Sequence, residues 1–192
     1  MKILSGNKKT KTAVFISGRG SNLKNLIKFS KLKNSPIKID LVISNNKFAK
    51  GLRYASQNKI EKKIFNFNSI NKGEKKSLKI LFKKKIELIC LAGFMKILSK
   101  NFTKRFRGKI INIHPSLLPK FKGLNTHKRA IKNKENFSGC TVHYVTSKLD
   151  SGKIILQKKV PIKKNDTVYS LQKRILKEEY KIYPKAISKI LN

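Results

Sequence analysis

Three side chains that could act on a carbonyl group belong to two short motifs in this sequence. Asn112 and His114 lie within residues 111–119 (INIHPSLLP), and Asp150 lies in the later motif 149–152 (LDSG). Residues 109–113 form a mainly apolar run that predicts a strand, and side chains two positions apart on a strand point to the same face. We therefore expect Asn112 and His114 to face one reacting atom.

These residue types suit the transfer of a formyl or acyl group. Attack on the carbonyl carbon produces a tetrahedral oxyanion, and one well-placed N–H donor commonly accelerates such a reaction about 100- to 1,000-fold. The attacking amine must also lose a proton, and a group that titrates near neutrality contributes about 100- to 10,000-fold. Asn112 and His114 fit these tasks. Asp150 could stabilise an imidazolium, orient its ring or relay protons through a water molecule, and the sequence leaves these roles open.

The same motifs, together with three others, resemble the folate-dependent formyltransferases. The string formed by Asn112, His114 and the following PSLLP resembles the family pattern, as do the distant Asp150 and residues 92–98 (AGFMKIL). Residues 17–22 (SGRGSN) and 122–131 (KGLNTHKRAI) resemble the members that formylate glycinamide ribonucleotide in purine biosynthesis. The motifs follow the family order and span nearly the whole chain, which makes the resemblance far more specific than any one of them.

The resemblance implies a particular reaction. In it, 10-formyltetrahydrofolate is the co-substrate and gives its formyl group to the amine of glycinamide ribonucleotide, so that N-formylglycinamide ribonucleotide and tetrahydrofolate are released without a metal. Asn112 and His114 would stabilise the oxyanion, and Asp150 would support His114 and aid proton transfer. The expected partners are these two small molecules, with no membrane and no specific nucleic acid. The protein is expected to be a cytoplasmic monomer or homodimer.

A glycine-containing turn between the first predicted strand and helix suits an anion, because backbone N–H groups and the helix dipole favour negative charge there. This turn, which we call the phosphate loop, consists of Gly18, Arg19, Gly20, Ser21 and Asn22. The third glycine of a dinucleotide fingerprint is replaced by leucine and no GK[ST] motif follows, so a single phosphate monoester fits better. The resemblance assigns the ribonucleotide phosphate to this loop. A glycine turn without a ligand is the alternative.

Two further sites come from the resemblance. In the family, backbone groups of the folate pocket read the pterin edge and apolar side chains hold the rings. The corresponding residues are Met95, Lys96, Ile97 and Leu98. The family commonly has arginine in place of Lys96; backbone contacts survive that difference, whereas a planar stacking or bidentate contact does not. Glu179 corresponds to a glutamate that contacts the glycinamide part of the acceptor, and an exposed helical glutamate paired with lysines is the alternative. The family's basic residue within positions 66–75 has no secure counterpart.

The net charge of +38, from 47 basic and 9 acidic residues, would ordinarily indicate a nucleic-acid partner. The lysines are, however, scattered over every predicted helix and loop, and no aromatic stacking motif lies between them. Residues with AT-rich codons dominate the composition, so a biased genome is the simpler explanation. A positive surface would still attract a phosphate substrate and a folate polyglutamate, and it would bind RNA weakly at low salt.

The remaining candidate ligands are few. Cys90 and Cys140 lie in apolar strand runs without CxxC spacing and are predicted to be core thiols, so neither a disulfide nor a zinc site is expected. His127 is expected to support its loop or to stack near substrate, and His143 to be a core or supporting histidine. No apolar run approaches the roughly 20 residues that span a bilayer.

The predicted elements alternate between strand and helix. Strands are expected at residues 12–17, 37–44, 63–67, 86–92, 109–113, 139–146 and 153–161, and helices at 23–27, 49–58, 74–84, 126–132 and 169–182, with a short one from 101. This alternation predicts one α/β domain over residues 1–192, with residues 1–11 as a flexible basic tail and with helices on both faces of an open, twisted, mostly parallel sheet. Residues 147–152 are too few for a crossover, so the last two strands should form an antiparallel hairpin. Pro184 should end or kink the last helix. Ligands should bind at the carboxyl ends of the parallel strands.

Three other functions fit parts of the sequence. Methionyl-tRNA formyltransferase shares the Asn-His-Asp site and has a basic tRNA-binding surface, but its additional C-terminal domain would not fit in the residues after Asp150. A formyltetrahydrofolate hydrolase would have an N-terminal regulatory domain and no need for the phosphate loop. An RNA-binding protein on a formyltransferase fold would account for the charge, and selective RNA binding at physiological salt would distinguish it.

Overall fold

The computed structural model describes residues 8–67 and 70–192, and within these ranges seven strands form one sheet. They are β1 (Thr10–Ile16), β2 (Ile37–Ser44), β3 (Glu61–Ile64), β4 (Leu88–Leu91), β5 (Lys109–His114), β6 (Phe137–Tyr144) and β7 (Ile154–Pro161). Their order across the sheet is β3-β2-β1-β4-β5-β6-β7. Neighbouring strands from β3 to β5 are parallel, whereas β5 with β6 and β6 with β7 are antiparallel.

Helices cover both faces of this sheet. In the described chain they are α1 (Ser21–Ser30), α2 (Leu52–Gln57), α3 (Ile70–Lys83), α4 (Lys100–Arg105), α5 (Thr126–Lys132) and α6 (Val168–Leu191). Val14 and Ile16 pack in a core with α1, α2 and α6, whereas Ala13 and Phe15 pack in a second core with α3 and α4. A central strand buried on both faces is typical of a parallel sheet. The predicted mostly parallel α/β sheet with a C-terminal antiparallel hairpin is confirmed.

The topology determines where a site can form. Strands β2 and β3 lie on one side of β1, and β4 and β5 lie on the other, so the strand order reverses between β1 and β4. Ligands of open α/β sheets bind outside the carboxyl ends of the strands at such a reversal. The segments that follow β1, β4 and β5 therefore meet at one edge, which we call the carboxyl edge.

The sheet begins earlier than the sequence predicts. The prediction that residues 1–11 form a flexible tail is wrong for Thr10 and Lys11. These two residues pair with Ile37 and Lys38 of β2. The pattern of polar side chains does not indicate this pairing, since it is made by the main chain. Residues 1–7 lie outside the described residues. That residues 1–192 form a single domain stays a prediction.

Helix α6 continues through Pro184 and ends at Leu191. The predicted end of this helix at Ile182 is therefore wrong. Proline has no N–H for the carbonyl four residues earlier, here that of Tyr180. The side chain of Asn25, on α1, donates from Nδ2 to this carbonyl oxygen at 2.9 Å. An amide from a neighbouring helix thus replaces the missing backbone donor, and α6 is joined to α1 at this turn.

Tyr183 joins α6 to the centre of the sheet. Its side chain is fully buried, and its hydroxyl lies 3.0 Å from the Leu91 carbonyl oxygen and 3.4 Å from that of Ile111. These carbonyls belong to the end of β4 and the middle of β5. The prediction that Cys90 and Cys140 are core thiols is confirmed: both are buried and free, and burial raises the pKa of Cys90 to about 12. Among the helices of the described chain, none has the length and apolarity to span a membrane.

Candidate active site

The structure brings Asn112, His114 and Asp150 together at the carboxyl edge. Asn112 and His114 lie in the last three residues of β5, and Asp150 lies in the connection between β6 and β7. The Nδ1 atom of His114 lies 3.4 Å from Oδ2 of Asp150, and Nδ2 of Asn112 lies 3.5 Å from its Oδ1. The period-two argument therefore places both β5 side chains correctly against one carboxylate.

Asp150 is held in place by backbone as well as by side chains. It adopts a left-handed conformation with φ of 44°, and its Oδ2 accepts the N–H of Gly123 at 2.9 Å. Burial alone would raise the pKa of this carboxyl. The nearby His143 ring, the Gly123 N–H and the charge of His114 outweigh burial, so the pKa is lowered below its usual value. Asp150 is accordingly ionised at neutral pH.

His114 faces an acceptor at each ring nitrogen. Its Nε2 lies 3.0 Å from the Phe121 carbonyl oxygen, and its Nδ1 faces Asp150. Burial lowers the pKa of His114 below its ordinary value, although both acceptors oppose this effect. A neutral ring has one N–H and can serve only one of the two acceptors, whereas the protonated ring serves both. Burial thus favours the neutral form and the local contacts favour the cation, which suits a group that gains and loses a proton.

His143 is a site residue that sequence reasoning placed only among core or supporting histidines. It lies directly opposite Asn112 in the antiparallel pair of β5 and β6. Its Nδ1 is 2.8 Å from the Tyr144 carbonyl oxygen, and its Nε2 is 3.2 Å from Nδ2 of Asn112. A carbonyl can only accept, so the proton of a neutral ring belongs on Nδ1, and Nε2 then accepts an N–H from Asn112. The strand register could have revealed this contact, but the register itself was not predictable.

The phosphate loop requires glycine at position 20. Gly20 precedes α1 with φ of 73°, in the left-handed region that glycine adopts freely. A Cβ atom on Gly20 would lie 2.4 Å from the Cα atom of Gly51. The Gly51 N–H also donates to the Gly18 carbonyl oxygen at 2.9 Å. The loop is thus packed, backbone against backbone, on the segment that leads into α2.

Gly20→Ala should destabilise the protein more than Gly93→Ala. Both glycines have positive φ, 73° and 71°, so both variants lose about 1–2 kcal/mol to the left-handed conformation. Only Gly20 also meets a backbone clash, since nothing lies within 4 Å of a Cβ on Gly93. Urea unfolding of the two variants measures the difference. Equal losses would show that the contact between Gly20 and Gly51 is not tight in solution.

Glu179 lies beside the phosphate loop and is not the exposed glutamate of the alternative interpretation. It is 7% exposed, and Nδ2 of Asn22 donates to its Oε2 at 2.6 Å. Burial raises the pKa of Glu179 to about 7, although this hydrogen bond opposes the shift. The Oδ1 atom of Asn22 is buried and has no hydrogen-bond partner in the described chain. Such an acceptor at a helix N-terminus is what a ligand with a hydroxyl or amine donor would satisfy.

The predicted folate residues lie on residues 93–98, the segment after β4, which we call the folate loop. Met95 and Ile97 are 62% and 55% exposed, so their side chains are available to a ligand. Leu98 is 2% exposed and belongs to the core with α3 and α4, so only its backbone could contact a ligand. Lys96 is partly exposed. The folate assignment of these four residues stays a prediction.

Two further features of the site region are the surroundings of His127 and the grouping of the side-chain types that bind metal ions. His127, on α5, is partly buried, burial lowers its pKa, and its Nδ1 has no hydrogen-bond partner in the part of the chain that the structure describes. Over residues 8–67 and 70–192, no three histidine, cysteine or acidic side chains are grouped so that they could hold a metal ion.

The open α/β sheet and the converging amide, imidazole and carboxylate suit one class of proteins, the transferases that act at a carbonyl carbon. Comparison with known proteins gives the family: a model described as formyl transferase matches residues 10–187, and the chain belongs to this formyl transferase family. The predicted resemblance is thereby confirmed.

Similar proteins are named for purine biosynthesis or for the formylation of phosphoribosylglycinamide. A phosphoribosylglycinamide formyltransferase of Haemophilus influenzae is 46% identical over 180 residues, which cover 92% of this chain and 85% of that protein. The trifunctional purine biosynthetic protein adenosine-3 of Homo sapiens is 45% identical over 183 residues, 94% of this chain and 18% of that protein, so the chain spans less than a fifth of it. A crystal structure of phosphoribosylglycinamide formyltransferase from Anaplasma phagocytophilum has a TM-score of 0.89 and 44% identity, covering 96% of this chain and 87% of that one.

Proposed function

We propose that this chain transfers the formyl group of 10-formyltetrahydrofolate to the amine of glycinamide ribonucleotide, in purine biosynthesis. The observation that supports this most directly is the approach of Asn112 and His114 to Asp150, at 3.5 and 3.4 Å, on the same sheet edge as the phosphate loop. The names of the similar formyltransferases supply the acceptor, and the folate-dependent family that the motifs resemble supplies the donor.

In the proposed reaction Asn112 and His114 each offer an N–H to the oxygen of the tetrahedral intermediate. One Asn112 N–H serves His143 at 3.2 Å, and the second, which faces Oδ1 of Asp150 at 3.5 Å, would turn to the oxyanion. Donors held rigidly at such a position need no reorganisation when charge develops, which is the main source of their effect. The His114 N–H that faces the Phe121 carbonyl would turn to the substrate oxygen.

Proton transfer completes the reaction. The acceptor amine forms the new C–N bond and loses a proton, while the C–N bond to the folate nitrogen breaks and that nitrogen gains one. His114 and Asp150 suit this transfer, because Asp150 stabilises the imidazolium that forms when His114 takes a proton at Nδ1. The low pKa of Asp150 keeps the carboxylate available for this role at neutral pH.

The phosphate loop and Glu179 would hold the acceptor. The N-terminus of α1 offers backbone N–H groups to the phosphate of the ribonucleotide. Glu179 would contact the glycinamide part, and Oδ1 of Asn22, which has no hydrogen-bond partner among the described residues, adds an acceptor next to it. Backbone groups of the folate loop and the exposed side chains of Met95 and Ile97 would hold the folate.

The test is an assay at physiological salt that follows tetrahydrofolate release from 10-formyltetrahydrofolate, with and without glycinamide ribonucleotide. We expect release to depend strictly on the acceptor. Acceptor-independent release would indicate a hydrolase instead, and no release would contradict the proposed function.

We also propose a localisation, an oligomeric state and a set of partners for the protein. We expect a cytoplasmic protein, monomeric or homodimeric, that has no specific nucleic-acid partner despite its net charge of +38. RNA binding that weakens steeply with salt and ignores sequence would reflect charge alone, whereas tight selective binding at physiological salt would contradict this expectation.

A further inference from the structure

Ser17 lies between the two loops to which the proposed function assigns the substrates. It follows the last residue of β1 and immediately precedes Gly18 of the phosphate loop. Its backbone N–H donates to the carbonyl oxygen of Gly93, the first residue of the folate loop, at 3.1 Å. The backbone of Ser17 therefore already joins the two loops at one point.

The Ser17 hydroxyl adds a second junction. Its Oγ accepts the backbone N–H of Met95 at 2.7 Å and donates its own proton to Oδ1 of Asn45. Asn45 directly follows β2, so this one hydroxyl connects the segments after β1, β2 and β4. The neighbouring Asn46 side chain donates to the Ser17 carbonyl oxygen at 3.3 Å, which restrains the same residue from the β2 side.

The rest of the folate loop is anchored by other means. The Phe94 ring packs edge-on against Phe15 and Phe67, with ring centroids 5.3 and 5.2 Å apart. Just after the loop, the Ser99 N–H donates to Oε1 of the buried Glu74 at 2.7 Å. These contacts fix the position of the loop against the core with α3 and α4. The contacts of Ser17 instead fix it relative to the phosphate loop.

We propose that Ser17 is a positioning residue that sets the distance between the folate loop and the phosphate loop, so that the formyl carbon and the acceptor amine meet at His114. This rests on the proposed function. Transfer between two bound substrates requires near-attack geometry, and a misplacement of about 1 Å can lower the rate about 100-fold. Without the hydroxyl, the Met95 N–H and the Asn45 carbonyl lose their shared partner, and the folate loop is free to shift.

The test compares Ser17→Ala with wild type and with Ser30→Ala. The Ser30 hydroxyl donates to the Ile27 carbonyl oxygen within α1 at 2.8 Å, so Ser30→Ala removes an equivalent group away from both loops. We expect Ser17→Ala to raise the KM for 10-formyltetrahydrofolate up to about tenfold and to lower kcat, since the loss of one hydrogen bond costs about 0.5–1.5 kcal/mol. The KM for glycinamide ribonucleotide should change less. Ser17→Thr, which keeps the hydroxyl, should recover most of the activity.

A binding measurement separates this inference from the proposed function. The Kd of tetrahydrofolate, measured calorimetrically without an acceptor, should rise up to about tenfold in Ser17→Ala and stay unchanged in Ser30→Ala. If wild type shows no acceptor-dependent turnover, the proposed function fails and the binding result alone decides the role of Ser17. A Ser17→Ala variant that matches Ser30→Ala in both Kd and KM for the folate would overturn the inference.

Discussion

His114→Ala is expected to lower kcat/KM for formyl transfer on the order of 1,000-fold while leaving the protein folded. In the proposed mechanism, the substitution removes an N–H donor to the oxyanion and also the group that carries the proton, and each of these commonly contributes at least about 100-fold. The effects need not multiply, because both act through the same ring. The protein should remain folded because the ring is held by the Phe121 carbonyl and Asp150 at the sheet edge, not by the two apolar cores.

Steady-state assays with both substrates, together with thermal unfolding, measure this result. His127→Ala is the matched control, since it removes a partly buried histidine from the neighbouring α5 and should change kcat/KM far less. Added imidazole should restore part of the activity of His114→Ala if the missing group is a proton carrier. Turnover of His114→Ala close to wild type would remove His114 from the catalytic site.

Glu179→Gln is expected to make the protein more stable at pH 8 and less active. Burial raises the pKa of Glu179 from an ordinary value of 4.5 to about 7 in the folded protein, so the folded state binds the proton more tightly than the unfolded state. Stability from this group is complete below pH 4.5 and is lost as the pH rises through about 7. A shift of this size corresponds to about 3 kcal/mol, and glutamine avoids the loss because it does not titrate.

Urea unfolding of wild type and Glu179→Gln at pH 5 and pH 8 tests the direction in which the stability changes with pH. The advantage of glutamine should be small at pH 5 and should grow by up to about 3 kcal/mol at pH 8. Glu178→Gln is the control, since Glu178 pairs with Lys181 at 2.7 Å on the outer side of α6 and its substitution should shift stability little. A Glu179→Gln protein with the same pH dependence as wild type would contradict the raised pKa.

The functional part of this prediction concerns the acceptor. If Glu179 contacts the glycinamide group, glutamine should raise the KM for glycinamide ribonucleotide about tenfold, the effect of removing one charged hydrogen bond. The KM for the folate should change less. A more stable but weaker enzyme would mean that the buried charge is kept for binding, at the expense of stability.

Much of the fold and the central site could be predicted from the sequence because their signals are local. The predicted boundaries of β2 agree with the structure, because Pro36 precedes apolar residues that alternate at 37 and 39 and continue through 41–43, and Asn45 and Asn46 follow the strand. The convergence of Asn112 and His114 followed from the two-residue period of a strand. Their roles, like those of the phosphate and folate residues, stay predictions.

The features that were missed depend on partners distant in sequence. The length of α6 could not be predicted, because the donor that replaces the missing Pro184 N–H comes from Asn25, on another helix. Glu179 has the sequence surroundings of an exposed helical residue, and only the packing of α6 against α1 buries it. His143 became a site residue through the register of β5 and β6, which no local pattern indicates.

The antiparallel end of the sheet has a consequence for how the chain can be divided. The segment up to the end of β5 contains the phosphate loop, Asn112 and His114, whereas β6 and the residues after it contain His143, Asp150 and Glu179. His143 and Asp150 thus sit on the opposite half from Asn112 and His114, the two side chains that they contact. A cut anywhere in residues 115–136 would leave two fragments without a complete site, so any activity regained on mixing them would report reassembly of the two halves.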